Sequence, residues 1–503
     1  MRELKKIAPF ILLILFCGAT SQAGSASHLI SKITLTGQTQ FEAEFLLKTA
    51  GWHSHPVFSD MLVESGIDKI LRLYENSGYP YCQVTVEGLS FENENHIELV
   101  LRIAEGPGVK VAGIQWEGVS FSLGQALTKE IDFKSGESFS TERWNERVKI
   151  LKNLPFLKGV QEPELLLNPN GEGIVRFIVE ERNNSVSGAL GYVPARANSS
   201  GYLSGNLVLG LFNFLDGPRQ AEIFWNKKDL QSYHLKFAYS EHWLFNTPLS
   251  LGLSFRQSQS DSSYSQVFFE EQTAYRFSSR FSLSALLSWE RIYQKSYLKK
   301  SFPSGRKLGA GLKLNWSNLD YRLNPGKGTD LEAQIRVWDW KNTESDTVAV
   351  GPKKDRVLER QIVLWKYLPT WKSQTIALKL AYSEITSSKK ALSPADLYKL
   401  GGINTLRGFY NEQFWTDRVF LTTGEYRFLL SGEARAYLFT DMAKFRRNYL
   451  QENRLAGKES FQLGYGVGLW LDSKVGLVGL DLGLGQSDQL PDLKVHLMLK
   501  NRF

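Results

Sequence analysis

The chain has 503 residues and a formal net charge of +8, so it is too long for one ordinary domain. Its basic residues are scattered, which argues against a nucleic-acid-binding surface. A mean hydropathy of −0.26 excludes a helical membrane protein. It leaves room for a membrane β-barrel, because barrel strands hide their apolar residues in alternation.

The N-terminus predicts a secretory signal peptide over residues 1–23. Basic residues open the chain, an apolar stretch follows from Ile7 to Phe16, and the small residues around Ala23 fit a cleavage site. This apolar stretch is too short for a permanent spanning helix, which needs ~20 residues. Cleavage leaves Cys82 as the single cysteine, so the mature chain can form no internal disulfide.

The region from residue 28 to residue 182 contains an internal repeat with a constant offset. Ile33 matches Ile114, and Gly37 matches Gly118 at the same spacing. Each copy predicts a strand, two helices and a closing hairpin, because apolar residues at helical spacing stand between runs of period two. The repeat therefore predicts two α+β modules, at residues 27–106 and 107–182.

From about residue 184 to residue 503 the helical period disappears, and about sixteen runs with period two follow one another. In the last run, Leu493, Val495, Leu497 and Leu499 alternate with more polar residues. Aromatic residues recur near the ends of the runs, as interfacial girdles require. A soluble sandwich shows the same alternation, but the signal peptide, the even strand count and the girdles favour a 16-stranded antiparallel transmembrane β-barrel.

The strongest local motif is residues 401–409, Gly-Gly-Ile-Asn-Thr-Leu-Arg-Gly-Phe. In the first repeat, residues 74–79 (Tyr-Glu-Asn-Ser-Gly-Tyr) and 103–107 (Ile-Ala-Glu-Gly-Pro) are further recognisable segments. In order and spacing these segments resemble the POTRA–barrel superfamily, which includes the BamA/TamA-like outer-membrane assembly factors and their relatives in two-partner secretion. The resemblance covers the mature chain, and the terminal Phe503 is similar to the family's barrel-insertion signal.

The resemblance implies that residues 401–409 form the tip of a long loop between the eleventh and twelfth strands, folded back into the barrel lumen. Arg407 and Glu425, together with Asp441, match the family's arginine and its two acidic partners, while Ala443 departs from the usual glycine. An arginine fork can bridge two carboxylates, which offsets the entropy lost on ordering the loop. The predicted loop anchor in the lumen comprises Arg407, Gly408, Phe409, Glu425 and Asp441.

Closing the barrel requires the first strand, near residues 186–193, to pair with the last, near residues 493–503. The first run, Ser-Val-Ser-Gly-Ala-Leu-Gly-Tyr, contributes little packing and specifies its register weakly. A seam of this kind could open and pair with an incoming strand. The predicted lateral seam comprises Val186, Gly188, Leu190, Leu497, Leu499 and Phe503.

No arrangement of residues predicts catalysis, a cofactor or a metal site. Glu270 and Glu271 are adjacent in a strand and point to opposite faces, which suits acid–base work poorly. His53 and His55 could hold a metal, but a short histidine pair in an exposed loop usually binds none. The sequence is therefore expected to encode no enzyme.

The resemblance implies an outer-membrane protein assembly factor in the bacterial outer membrane, with its modules in the periplasm. Expected partners are unfolded outer-membrane proteins or a secreted polypeptide, and the lipid bilayer; accessory periplasmic subunits could join them. One alternative is a two-partner-secretion-type transporter, which a count of two modules suits. Against it, the first module follows the signal peptide without room for a plug helix. A passive porin or adhesin barrel is the second alternative.

Overall fold

The computed structural model describes residues 29–52, 57–93, 96–194, 201–229, 231–260, 264–294, 304–343, 353–387, 392–451, 454–473 and 476–500. The predicted signal peptide, His53, His55 and Phe503 lie outside these residues. The chain forms two compact units. One holds the first repeat through Ala112 with residues 136–143 and 168–173, and the other holds Gly113–Ser135, Trp144–Leu167 and the chain from Ile174.

The first repeat folds as a three-stranded sheet with two helices. Its elements are β1 (Leu29–Thr36), α1 (Ala43–Ala50), α2 (Asp60–Asn76), β2 (Gln83–Asn93) and β3 (His96–Ala104). The strands lie in the order β1-β3-β2. Val63, Ile70 and Tyr74 lie buried on one face of α2, as their spacing predicts. The Ser59 side chain caps this helix by accepting a hydrogen bond from the backbone N–H of Leu62.

The second repeat has the same succession of a strand and two helices, with a two-residue strand between the helices, and closes with more strands than the first. Its elements are β4 (Lys110–Glu117), α3 (Phe121–Glu130), β5 (Glu137–Ser138), α4 (Thr141–Lys152), β6 (Leu157–Val160), β7 (Glu164–Leu167) and β8 (Gly173–Glu181). The strand β4 begins as many residues after β1 as the helix α4 begins after α2. This offset is the one that separates Ile33 from Ile114 in the repeat predicted from the sequence. Among the described residues, none of the helices has both the length and the apolar character that crossing a lipid bilayer requires.

Equivalent glycines end the first strand of each repeat in the same backbone conformation. Gly37 has a φ of 82° and Gly118 a φ of 85°, a region that residues with a side chain rarely adopt. An added Cβ would overlap the carbonyl oxygen of Ile103 in the first repeat and that of Val179 in the second. The repeat seen in the sequence therefore reflects one shared local structure. The module boundaries at residues 106/107 and 182/184 stay predictions.

The rest of the chain forms one sixteen-stranded antiparallel sheet. Each strand pairs with its neighbour in sequence, except that the loop between the eleventh and twelfth strands adds a separate hairpin. The sheet strands are β9 (Ser185–Val193), β10 (Tyr202–Phe212), β11 (Arg219–Lys227), β12 (Tyr233–Glu241), β13 (Leu249–Ser260), β14 (Tyr264–Ser278), β15 (Phe281–Gln294), β16 (Gly305–Ser317), β17 (Gly328–Asn342), β18 (Lys354–Pro369), β19 (Gln374–Ser387), β22 (Arg418–Leu429), β23 (Arg435–Gln451), β24 (Arg454–Ser473), β25 (Gly476–Gly485) and β26 (Lys494–Lys500). The loop hairpin is β20 (Tyr398–Leu400) and β21 (Phe414–Thr416).

Alternation separates the two faces of this sheet. On β17, Ile335 and Val337 are exposed on the outer face, whereas Arg336 and Trp338 are buried on the inner face. The charged residue of this stretch, Arg336, thus lies on the inner face, as expected for strands that meet lipid outside. We call the end where the chain enters β9 the proximal end and the other end the distal end.

The loop of residues 392–417 lies on the inner face. Leu392 and Leu397 pack in one cluster with Phe268 of β14 and Trp338 of β17. Farther along the loop, Leu406 packs in a second cluster with residues of β22 and β23. The sheet therefore curves around the loop, because one loop contacts strands far apart in the sheet order.

Candidate functional site

Arg407 lies at the tip of the loop and is 5% exposed. Its Nε and Nη2 donate to the two carboxylate oxygens of Asp441 at 2.7 and 2.8 Å, and its Nη1 donates to Glu425 at 2.8 Å. Its backbone N–H also donates to Asp441, at 3.0 Å. The structure therefore brings together the arginine and both acidic residues that the sequence proposed, with the bidentate geometry that favours arginine over lysine.

Two further residues complete this environment. Asp481 of β25 is 1% exposed, and its carboxylate lies 3.7 Å from Nη1 of Arg407. The guanidinium also stacks over the ring of Phe439, 3.8 Å from the centroid. We call Arg407 with Glu425, Asp441 and Asp481 the arginine anchor. It ties the loop tip to three strands, β22, β23 and β25.

A strip of glycines on β24 and β25 receives the tip backbone. An added Cβ at Gly464 would overlap the carbonyl oxygen of Arg407, and one at Gly483 would lie 2.7 Å from the backbone nitrogen of Gly408. Gly408 has a φ of 85°, and its own Cβ would overlap the carbonyl oxygen of Leu484. Backbone thus approaches backbone on both sides, which only glycine allows.

Phe409 points away from the charges into an apolar cluster. Its ring is 8% exposed and lies 5.3 Å from that of Phe414. Leu406 and Ala443 of the same cluster are fully buried. Ala443, the departure from the family pattern, therefore fills space against the loop. The tip is held by charge on one side and by apolar packing on the other.

A second buried ion cluster holds the start of the loop. Nζ of Lys307, on β16, lies 2.7 Å from Glu290 of β15 and forms an ion pair with Asp396 of the loop. All three side chains are at most 5% exposed. Asp396 also accepts hydrogen bonds from the backbone and hydroxyl of Ser393. We call Lys307 with Glu290 and Asp396 the lysine anchor.

Apart from Phe503, which lies outside the described residues, the residues proposed for the lateral seam lie on the two strands that end the sheet order. Val186 and Leu190 on β9 are 71% and 63% exposed, and Leu497 on β26 is 74% exposed. Gly188 pairs with Leu207 of β10, and Leu499 pairs with Val478 of β25. Among the described residues, no backbone pairing joins β9 to β26. Closure of the barrel therefore stays a prediction.

Sequence reasoning missed Asp481 and the whole lysine anchor. A signal for Asp481 was present, because it is the one acidic residue in the run Gly-Leu-Val-Gly-Leu-Asp-Leu-Gly-Leu-Gly of β25. Lys307 and Asp396 are far apart in the chain, and no local pattern connects them. In the part of the chain that the structure describes, no three histidine, cysteine or acidic residues group as metal ligands.

Comparison with protein families gives two matches. The model of the Omp85 superfamily domain matches residues 213–496, more than half of the chain. The POTRA model, described as a surface antigen variable number repeat, matches residues 28–106. A search of curated proteins finds no match.

Solved structures share the fold at low sequence identity. BamA from Haemophilus ducreyi lacking POTRA domains 1–3 matches with a TM-score of 0.56 and 16% identity, over 93% of this chain and 98% of that one. CdiB from Escherichia coli matches with a TM-score of 0.52 and 13% identity, over 96% of this chain and 92% of that one. At these identities the likeness concerns the fold alone.

Proposed function

Because this chain belongs to the Omp85 superfamily, we propose that it is an outer-membrane factor that inserts other β-barrel proteins. The sheet lies in the bacterial outer membrane and both repeats extend into the periplasm as POTRA modules. Unfolded barrel clients bind to the modules and then pair, strand by strand, with the edge of the sheet at the lateral seam. No step in this function requires a cofactor.

One observation carries the proposal: in the described chain, each terminal strand of the sheet pairs on one side only. In lipid, an unpaired backbone edge is costly, so a client strand that satisfies it binds favourably. The strand β9 has only nine residues and contains two glycines, and β26 has seven residues. Short strands of this kind give way easily to an incoming strand.

The first repeat supports client capture. Its strand β2 is an edge of the sheet β1-β3-β2. Along it, Val86, Leu89 and Phe91 are 51%, 43% and 63% exposed. An edge strand with exposed apolar side chains offers both backbone hydrogen bonds and apolar contacts to an extended client.

Secretion of a polypeptide through the lumen is the second candidate function, and the fold shared with CdiB supports it. The loop opposes an open path, because two buried ion clusters hold it across the inner face. A passive porin requires that same path to be open and is opposed by the same contacts.

A reversible cross-link at the seam tests the proposal. We place cysteines at Leu190 and Leu497 in a Cys82→Ala background, join them with a cleavable bis-maleimide, and measure assembly of a barrel client into vesicles that contain the protein. We expect assembly to stop and to return on cleavage. A matched pair at Phe420 and Lys444, which already face each other on β22 and β23, should leave assembly unchanged. Unchanged assembly with a cross-linked seam would refute the proposal that client strands pair there.

Depletion in the host separates insertion from secretion. Loss of many barrel proteins from the outer membrane, measured by proteomics, supports an insertion factor. Loss of one secreted protein with the barrels intact supports the transporter.

A further inference from the structure

Two neighbouring proximal turns share an unusual backbone. Residues 213–218 join β10 to β11, and residues 242–248 join β12 to β13. Residues that bear side chains rarely adopt positive φ, and such conformations concentrate at functional positions. The two turns nevertheless contain three each, with the same spacing in both: Asn213 (51°), Leu215 (56°) and Asp216 (50°), then Trp243 (58°), Phe245 (50°) and Asn246 (67°).

The first of these positions holds the second repeat in both turns. Nδ2 of Asn213 donates to the carbonyl oxygen of Phe156 at 3.0 Å. Nε1 of Trp243 donates to Glu130, the last residue of α3, at 2.8 Å. The Glu130 side chain is fully buried and also pairs with Arg276 of β14. The first positive-φ residue of each turn thus donates a hydrogen bond to the second repeat. The helix α3 is held to the sheet at its C-terminal end.

The second of these positions points an apolar side chain into open space. Leu215 is 78% exposed and Phe245 is 86% exposed. Both turns are well braced, because Arg219 donates to the carbonyl oxygen of Leu215 at 2.8 Å and the His242 backbone donates to Pro218 at 3.2 Å. These side chains are therefore held outward by the structure around them.

The other end of α3 presents a third such residue. Phe121, the first residue of the helix, is 82% exposed. Beside Phe121, Ser122 and Ala126 of α3 face both proximal turns across a cleft of about 740 Å³. We call Phe121, Leu215 and Phe245 the apolar triad.

We propose that the apolar triad enters the interfacial layer of the lipid bilayer, so that the second repeat itself contacts the membrane. The inference rests on the membrane placement proposed above. Continuity favours lipid over a soluble partner, because Leu215 and Phe245 directly extend strands whose outer faces expose Leu207 and Phe237. Aromatic and large apolar side chains are favoured at that depth. With its C-terminal end held by Trp243 and Arg276, α3 would then be fixed at both ends.

A fluorescent probe at single positions tests this contact. In a Cys82→Ala background, Phe121→Cys and Phe245→Cys are each labelled with NBD, and the full chain is placed in phosphatidylcholine–phosphatidylglycerol vesicles with or without nitroxide-labelled lipid. Leu287→Cys on the outer face of β15 is the lipid-exposed reference, and Phe91→Cys in the first repeat is the water-exposed control. We expect blue-shifted emission and quenching at positions 121 and 245, as at 287, and neither at 91.

The outcomes separate this inference from the proposed function. Water-like emission at 121 with quenching at 287 overturns the membrane contact of the second repeat and leaves the barrel in the membrane. Quenching at 245 without quenching at 121 overturns it as well, because only the turn then meets lipid. Absence of quenching at 287 overturns the membrane placement on which both proposals depend.

Discussion

Two regions of the same sheet are built in opposite ways. On the anchored wall, formed by β22–β25, the strands β23 and β24 are 17 and 20 residues long. That wall carries the buried arginine anchor and the glycine strip. At the seam, β9 and β26 have nine and seven residues, and Val186, Leu190 and Leu497 on them are exposed. The same sheet thus contains its two longest strands, in the wall that buried charges hold to the loop, and two short strands at the ends of the strand order.

This difference indicates how such a sheet can open without unfolding. Local opening requires few apolar contacts and few protected hydrogen bonds, and it is confined to the regions that have fewest of both. Under the proposed function, the buried charges on the anchored wall would keep the loop in place while the seam opens. Substitutions at the two anchors, the glycine strip and the seam test this difference separately.

The largest effect is expected from Arg407→Ala. The substitution leaves Asp441 buried without its cation, and it takes one partner each from Glu425 and Asp481, which keep Arg427 and the Tyr437 hydroxyl. Removing one partner of a buried ion cluster costs about 3–5 kcal/mol. Urea unfolding in detergent should show that loss, and the loop should become sensitive to protease. Arg407→Lys keeps the charge without the fork and should lose less. Equal stability of Arg407→Ala and the parent chain would contradict the assigned anchor.

The lysine anchor should come next. Lys307 contacts two buried carboxylates, Glu290 and Asp396, whereas Arg407 contacts three. We therefore expect Lys307→Met to lose ~3 kcal/mol in the same unfolding measurement. Lys313→Met is the matched control, on the same strand. Its ion pair with Glu332 is partly exposed, with 21% and 43% of the two side chains accessible, so it should cost less than ~1 kcal/mol. Similar losses of unfolding free energy for Lys307→Met and Lys313→Met would contradict a special contribution of the buried ion cluster.

A smaller effect is expected from Gly464→Ala. The added methyl overlaps the carbonyl oxygen of Arg407, and overpacking of this kind costs ~1–3 kcal/mol. The charges stay in place, so the variant separates close backbone approach from ion pairing. Gly424→Ala on β22 has no atom within 4 Å of the new Cβ and should be neutral. Loss of stability in the control alone would contradict the role of the glycine strip.

The smallest effect is expected at the seam. In Gly188→Ala the added Cβ also overlaps a carbonyl oxygen, that of Asn206. Because β9 pairs on one side only in the described chain, it can fray locally, and the global unfolding free energy should fall by less than ~1 kcal/mol. Amide exchange in β9 should nevertheless become faster. An equal loss of unfolding free energy in Gly188→Ala and Gly464→Ala would contradict the difference in local stability between the seam and the anchored wall.

The motif at residues 401–409 shows how far local pattern reaches. The resemblance supplied Arg407 with Glu425 and Asp441, and these three residues meet in the structure. Alternation did not reveal Asp481, because it states which face a residue occupies and not which residues of other strands lie at the same height. That height depends on the register and tilt of every strand between them.

The sequence by itself determined the repeat, with its constant offset, and the count of sixteen strands. It also determined which face of each strand is polar, because these features arise from local periodicity. Tertiary structure alone decided that Lys307 meets Asp396 and that Asn213 and Trp243 both hold the second repeat. It also decided which glycines receive the loop tip. These contacts join residues far apart in the chain, and only the curvature of the whole sheet brings them within bonding distance.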